Sequence, residues 1–404
     1  MRRCFSAAPS QPLSMPELQA WCKQRGFVFE GSELYGGIGA GFDYGPLGAA
    51  LKRNVEAAWW RDFVERRPDC VALDTGQLLS PRVWEASGHV GSFSDPLSEC
   101  ATCKRRVRAD AAVGAALAGW GGAPLPPWLS SARDPGALGA ERLGEALRLL
   151  GVRCACGAAG ERGFGAPRPF NLLFRTAVGA TGAGGDAYLR PETAQGAYIH
   201  LLNVLHATRR RLPLGVGQAG TSFRNEIAVG NFLFRTREFE QMELQYFCRP
   251  ADSAAAFDAW VGRCEEWLAR VAGLQPGSVR RASYAKEELA HYALATTDLE
   301  FKFPFGWGEL WGIANRGDYD LRAHSAASGA TLQYTDPVTG EVRCWEGGGL
   351  TGRLGGRGRT PAPRPTRCYL TLPLFRARRR FSRTWWSPRW AWGACCLPCF
   401  ATAW

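Results

Sequence analysis

The chain reads as an α+β protein carrying an insertion, and three observations predict this. Residues 213–247 hold two strand-like stretches joined by a charged loop. Apolar residues four apart mark helices over 49–64 and after 191–193, and a further helix spans roughly 252–272. Between the first two helices, residues 111–140 become rich in Ala, Gly and Pro and lose their period, as expected of a loop or a loosely packed insertion.

In the first helix Leu51, Val55, Trp59 and Phe63 share a face behind the Gly45-Pro46-Leu47-Gly48 turn. A short helix is predicted near 140–150, and regular patterning resumes at Phe170–Phe174. Thr193 is placed to cap the next helix, whose Ala197, Leu201 and Leu205 align. On the returning strand of the 213–247 pair, Met242, Leu244 and Tyr246 form an apolar face, while Phe239, Gln241, Glu243 and Gln245 point the other way. Arg224 and Glu226 share one face of the outgoing strand. The result is a candidate site floor. By pattern alone two readings stand, a nucleotide or phosphate site and a set of solvated ion pairs worth little.

With 404 residues the chain is long enough for two or more domains and at least one sizeable core. No run of about 20 apolar residues appears, so a membrane span is not expected. The formal charge of +12 suggests a nucleic-acid partner until its location is considered. Residues 347–404 contain eleven Arg and no acid, so the other 346 residues carry only +1. Basicity therefore says nothing about RNA binding by the main body. Fourteen Cys without secreted-type spacing favour a reducing compartment. The start, 1–20, carries Arg2, Arg3, Ser and Ala with no acid before Glu17, which fits an organelle-import leader or an ordinary frayed terminus.

Gly36–Gly41 contains a GxGxG, but no βαβ context follows, so a flexible loop near a pocket is the better reading. No Walker P-loop is present. Cys100-x-x-Cys103 and Cys154-x-Cys156 stand about 50 residues apart at the edges of the insertion. Their spacing is one residue short of a paired CxxC zinc site, which strains a tetrahedron on paper and favours unmetallated thiols over Zn²⁺.

Ser222-Phe223-Arg224-Asn225-Glu226, Arg235-Thr236-Arg237 and Glu238-Phe239-Glu240-Gln241-Met242-Glu243 resemble motif 2 of a class II aminoacyl-tRNA synthetase. More narrowly they resemble the homodimeric glycyl-tRNA synthetase family. Four further stretches agree: Ser32–Gly37 with Asp43–Gly48, Pro81–His89, Leu189–Gly196, and Phe303–Arg316. The likeness covers roughly 26–340 and is weak only inside the insertion. The short signatures of the Rossmann-based synthetase class are not found.

The resemblance implies a class II catalytic fold, an antiparallel sheet flanked by helices, divided as 21–99, an insertion over 100–167, and a second part over 168–345. It implies a glycine–tRNA ligase: ATP and glycine give glycyl-adenylate, and the glycyl group passes to tRNA(Gly). Arg224 resembles the clamp on the α-phosphate, Glu226 the acid at the adenine edge, and Phe239 the aromatic under adenine. Asn225, Phe234, Arg235, Thr236, Arg237 and Glu238 fall within the ATP-binding stretch, with Arg235 the better match for the terminal phosphates. Glu309 and Leu310 match an ATP-site pair, Glu309 as a candidate Mg²⁺ ligand. Glu192 and Glu243 resemble the carboxylates for glycine's ammonium. Arg108, Phe239, Glu240, Gln241 and Met242 complete the glycine-binding set. A homodimer through the 42–81 region is implied, no membrane partner, and a cytoplasmic setting unless the leader directs import into a mitochondrion or plastid.

Two parts of the family pattern are missing after 345: the glycine-rich strand–helix junction with its second Arg, and the anticodon-binding domain. Residues 346–404 are Gly-, Arg- and Trp-rich with neither helix nor strand period. They read as out-of-frame or unspliced sequence, or as a basic RNA-binding tail. Impaired activity is the expectation for this polypeptide, and a non-catalytic dimerisation or RNA-binding product is the alternative.

Overall fold

The computed structural model describes residues 13–336 except 38, 40, 133–134, 181–183, 228–231, 286–288 and 290–292, together with the backbone of 342–343. The expectations for the leader, the missing junction and the anomalous tail lie outside the described residues.

Helix α1 (Met15–Gln24) starts at Ser14, which forms a reciprocal cap with Glu17. Strands β1 (Val28–Glu30) and β2 (Phe42–Tyr44) pair antiparallel. Helix α2 (Pro46–Trp60) runs on into a wider turn over Arg61–Glu65. Its predicted stripe faces the core, with Trp59 and Phe63 fully buried. Gly48 lets α2 touch the preceding loop, because a Cβ there would stand 1.9 Å from the Phe27 carbonyl oxygen.

After β3 (Cys70–Ala72), β4 (Leu78–Leu79), α3 (Pro81–Ala86) and α4 (His89–Ser92), strand β5 (Ser94–Glu99) is flanked antiparallel by β6 (Arg106–Arg108) and β7 (Arg168–Asn171). Between β6 and β7 lie α5 (Ala109–Ala118), α6 (Pro127–Ser130) and α7 (Ala140–Leu149). These bury Ala109, Val113, Leu129, Leu143 and Leu147 in a core of their own. The expected loose loop over 111–140 is therefore corrected. Alanine is apolar on every face of α5, so the helix carries no readable stripe although it packs closely.

Strands β8 (Phe174–Ala177) and β9 (Asp186–Leu189) join β4 in a second antiparallel sheet. Helices α8 (Ala194–Ile199) and α9 (Leu201–Thr208) lead to the central pair, β10 (Leu214–Phe223) and β11 (Glu238–Phe247). These two are antiparallel over ten residues, with Gln218 opposite Glu243 and Ser222 opposite Phe239, and β3 adds to β10 in parallel. Helix α10 (Ser253–Arg270) precedes the antiparallel sheet of β12 (Val279–Ser283), β13 (Ala295–Phe303) and β14 (Gly306–Asn315). Helix α11 (Tyr319–Ser328) and the short pair β15 (Tyr334–Thr335) and β16 (Val342–Arg343) follow.

An aromatic cluster locks α2, α10 and β14 together: Phe63 lies 5.4 Å and Trp267 5.6 Å from Trp311, centroid to centroid. Tyr246 of β11 meets Trp260 of α10 edge-on at 5.2 Å. The apolar face of β11 is thus held against the core, which fixes the opposite face as the place for polar chemistry. No helix among the described residues is long and apolar enough to cross a membrane.

Candidate active site

The polar face of β11 is where the sequence puts it, but it is closed over. Phe239, Gln241, Glu243 and Gln245 are all buried. Tyr198 of α8 donates its hydroxyl to Gln245 Oε1 at 2.9 Å, so α8 covers that end of the face. Thr193 does not cap α8 with its side chain as expected. It donates to Glu243 Oε2 at 2.6 Å and ties the segment before α8 to β11. Glu192 and Glu243, each 1% exposed, therefore come from elements joined by one hydrogen bond.

Arg190 anchors the same segment, donating from Nε to the Thr221 carbonyl at 2.8 Å and from Nη1 to the Thr75 carbonyl at 2.7 Å. Gly220 makes the room for it, since a Cβ there would lie 2.3 Å from Arg190 Nη2. Burial pulls this guanidinium below its ordinary pKa, with Asp74 and Glu243 opposing.

A second group gathers beyond the ends of the hairpin. Arg224 is buried, donates from Nε to the Pro191 carbonyl at 2.8 Å, and sits 5.0 Å from the Phe239 ring centroid and 5.7 Å from that of Phe93. Glu226 Oε2 accepts two bonds from Arg235, at 2.5 and 3.1 Å. Two residues expected at opposite ends of ATP are thus each other's partners here. Arg108 of β6 pairs with Asp110 at 2.5 Å and lies 3.7 Å from Asp95 on β5. Burial works against its charge, but Asp110, Asp95 and Glu226 outweigh it and hold the guanidinium above its usual range. Arg108, at the end of β6, thus feels the Glu226 charge as well as those of its nearer aspartates.

Other expected residues lie elsewhere. Arg237 donates to the Gly39 carbonyl at 3.1 Å, so it reaches the Gly-rich loop. Thr236 donates to the Glu238 carbonyl, and the Glu238 side chain is exposed. Glu240 pairs with Lys52 of α2, and Met242 is in the core, both on the face away from Glu243. Phe234 packs edge-on against Phe303 and Phe305. Asn225 meets the Leu172 carbonyl through its backbone N–H at 2.8 Å. Glu309 is 6% exposed on β14, and its neighbour Leu310 is core. A separate cavity of about 450 Å³ between α10 and the β12–β13 edge lies among Phe257, Val261, Arg281 and Thr296, none of them expected site residues.

Sequence reading missed a buried polar network behind Glu192. Gln195 Nε2 donates to Glu192 Oε1 at 2.9 Å and to Asp320 Oδ1 at 3.2 Å. Gln195 Oε1 faces His324 Nε2 at 2.7 Å. Arg316 forks onto both oxygens of Asp320 at 2.7 Å each. His89 Nε2 stands 3.4 Å from Glu192 Oε2, with its Nδ1 2.8 Å from Ser87 Oγ. Burial pushes Asp320 up, but the Arg316 charge and hydrogen bonds overcome this and hold its pKa below the ordinary value. Burial lowers the His324 pKa, against the pull of Asp320. The available signal was spacing: Asp320 and His324 fall four residues apart on one face of α11, with Arg316 four residues before Asp320 in the turn that leads into it.

The four cysteines at the insertion's edge come together. Their Sγ atoms all lie within 4.8 Å of one another, with 3.8 Å for Cys100–Cys156 and 3.5 Å for Cys103–Cys154. A tetrahedral zinc with Zn–S of about 2.3 Å sets sulfurs about 3.8 Å apart, so the spacing suits the metal. The strain expected from Cys154-x-Cys156 does not arise. Gly157, at φ +84°, closes a tight turn with its N–H on the Cys154 carbonyl at 2.8 Å. The Cys103 backbone N–H, aided by that of Thr102, holds the Cys100 thiol down to about 6 against the opposing effect of burial.

Comparison with known proteins bears on what this arrangement serves. Residues 181–339 match the family model of the tRNA synthetase class II core domain (G, H, P, S and T). The chain is 47% identical over 330 residues to a glycine–tRNA ligase of Geobacillus kaustophilus, covering 81% of this chain and 69% of that one. It is 47% identical over 329 residues to that of Geobacillus thermodenitrificans, covering 81% and 68%. It is 45% identical over 339 residues to that of Caldanaerobacter subterraneus, covering 81% and 69%.

Proposed function

Because the chain belongs to the glycine–tRNA ligase family of class II synthetases, we propose that it joins glycine to ATP as glycyl-adenylate and passes the glycyl group to tRNA(Gly). In the first step a glycine carboxylate oxygen bonds to the α-phosphorus as the bond to the pyrophosphate oxygen breaks. Positioning and charge neutralisation carry such a step.

The observation that favours glycine is the pair of buried carboxylates, Glu192 and Glu243, joined through Thr193. Buried anions call for hydrogen-bonding or cationic neighbours, and an α-ammonium supplies both. Glycine has no side chain to grip, so its charge must be read and bulk excluded; larger amino acids are rejected by clash. Arg224 serves the α-phosphate, with Phe239 for the adenine ring. Arg235 moves from Glu226 to the terminal phosphates, releasing Glu226 to the adenine edge. Glu309 is a single carboxylate suited to Mg²⁺ held mainly by ATP phosphates.

Binding of a non-reacting glycyl-adenylate mimic, glycyl-sulfamoyladenosine, tests this reading by titration calorimetry. The 404-residue protein is expected to bind it and to prefer it over the alanyl mimic, and Glu192→Gln to abolish the preference. Binding without preference for glycyl would sink the proposal.

Two further assignments go with this reading. The Cys100, Cys103, Cys154 and Cys156 cluster holds one structural Zn²⁺, supported by the sulfur spacing and by the completed set of four thiols; elemental analysis should give one zinc per chain, and none in Cys100→Ser/Cys103→Ser. The chain forms a homodimer through the 42–81 region, where Leu47 is exposed, extended by the exposed Phe29, Leu34 and Tyr35 on and after β1, which pairs with β2 of that region. Light scattering should show twice the chain mass, and Leu34→Glu/Tyr35→Glu the single mass.

A further inference from the structure

We propose that Gln195, His324 and Asp320 are positioning residues for the substrate ammonium, fixing the direction in which the Glu192 carboxyl is presented. The inference rests on the assignment of Glu192 to glycine.

Hydrogen-bond polarity assigns each member its role. An amide presents donors on one side and an acceptor on the other, so Gln195 can sit in only two ways. Two carboxylates, Glu192 and Asp320, face one side at 2.9 and 3.2 Å. Only the –NH₂ can serve both, since a carbonyl oxygen there would face two anions. Oε1 is therefore turned to His324, and Nε2 of that ring must carry the proton to donate across 2.7 Å. Asp320 is kept as an acceptor by the Arg316 fork. Every member has one allowed role, and the chain of roles ends on Glu192 Oε1 as an acceptor.

This leaves Glu192 Oε1 held as an acceptor from α8 and α11, with His89 of α4 standing 3.4 Å from Oε2. Gln195 is wholly buried, and Asp320 and His324 nearly so, so no water competes for these bonds. The bonds of Gln195, Asp320 and His324 run to one another, to Arg316 and to Glu192. The network's effect should therefore be confined to the ammonium.

The test compares two probes on the full chain: glycyl-sulfamoyladenosine, which has the ammonium, and acetyl-sulfamoyladenosine, which lacks it. Wild type should favour the glycyl probe, and absence of that preference would overturn the glycine reading itself. Given the preference, Gln195→Glu and His324→Leu should each lower it about tenfold while leaving acetyl affinity unchanged. His324→Gln, which can still donate an N–H from a similar reach, should recover most of it. If Gln195→Glu fails to fold, Gln195→Met, of like shape but without the amide, reads the same ratio. An unchanged ratio in the folded variants, or an equal loss for both probes, would overturn the positioning role while leaving the glycine reading intact.

Discussion

Thr193 Oγ1 lies 2.6 Å from Glu243 Oε2, and this bond joins the loop before α8 to the polar face of β11. Thr193→Val keeps the shape and deletes the donor to a buried carboxylate. Stability should fall by about 1–3 kcal/mol in urea unfolding. Thr193→Ser should restore most of it, and an unchanged midpoint in Thr193→Val would show the bond to be incidental.

Arg235 forks onto a Glu226 side chain that is 1% exposed. Removing one partner of a buried pair costs more than the pair itself contributes. Arg235→Ala should therefore lower stability by about 3 kcal/mol. Arg235→Lys should recover less than half, because a single ammonium cannot reproduce the fork. Equal stabilities for Lys and Ala variants would mean that charge at this position is immaterial.

Acid should loosen the network behind Glu192 in two stages. His324 has a folded pKa below its unfolded value of about 6.5, so the stability it contributes is complete above that value and is lost as pH falls toward the folded pKa. Asp320 is also lowered, so its contribution is present above about 3.9 and fades at still lower pH. Unfolding free energy measured from pH 8 to 4 should decline below about 6.5 in wild type. The same step should be absent in His324→Gln; its persistence there would assign the step to another group.

On the zinc proposal, chelation should act on the insertion and reach Arg108. The turn at Cys100–Arg105 joins β5 to β6, and Arg108 ends β6. After chelation, amide exchange should quicken over 100–108 and 154–158 and stay slow over 214–223. Exchange unaltered in the first two stretches would argue that the thiols need no metal to hold their shape.

The central hairpin was legible because two signals coincide there. A period of two set Met242, Leu244 and Tyr246 against polar neighbours, and the arginines and carboxylates clustered at its loop. Thr193 was legible as a helix start but not in its role, since its hydroxyl is taken by a residue fifty positions away. The insertion was misread because alanine gives a helix without a stripe. The convergence of the CxC pair on Cys100 and Cys103 was not legible because sequence spacing says nothing of a glycine that can turn at positive φ.

From its residues alone, the chain determined its family resemblance, the strands that build the floor and the arginines, carboxylates and aromatic rings gathered along them. These depend on local pattern, which the order of residues carries directly. Tertiary structure alone decided that Glu226 holds Arg235, that Gln195 links Glu192 to His324, and that four distant thiols converge. Such relations depend on which donors meet which acceptors once water is excluded, and burial makes each unmet group costly enough to select one arrangement.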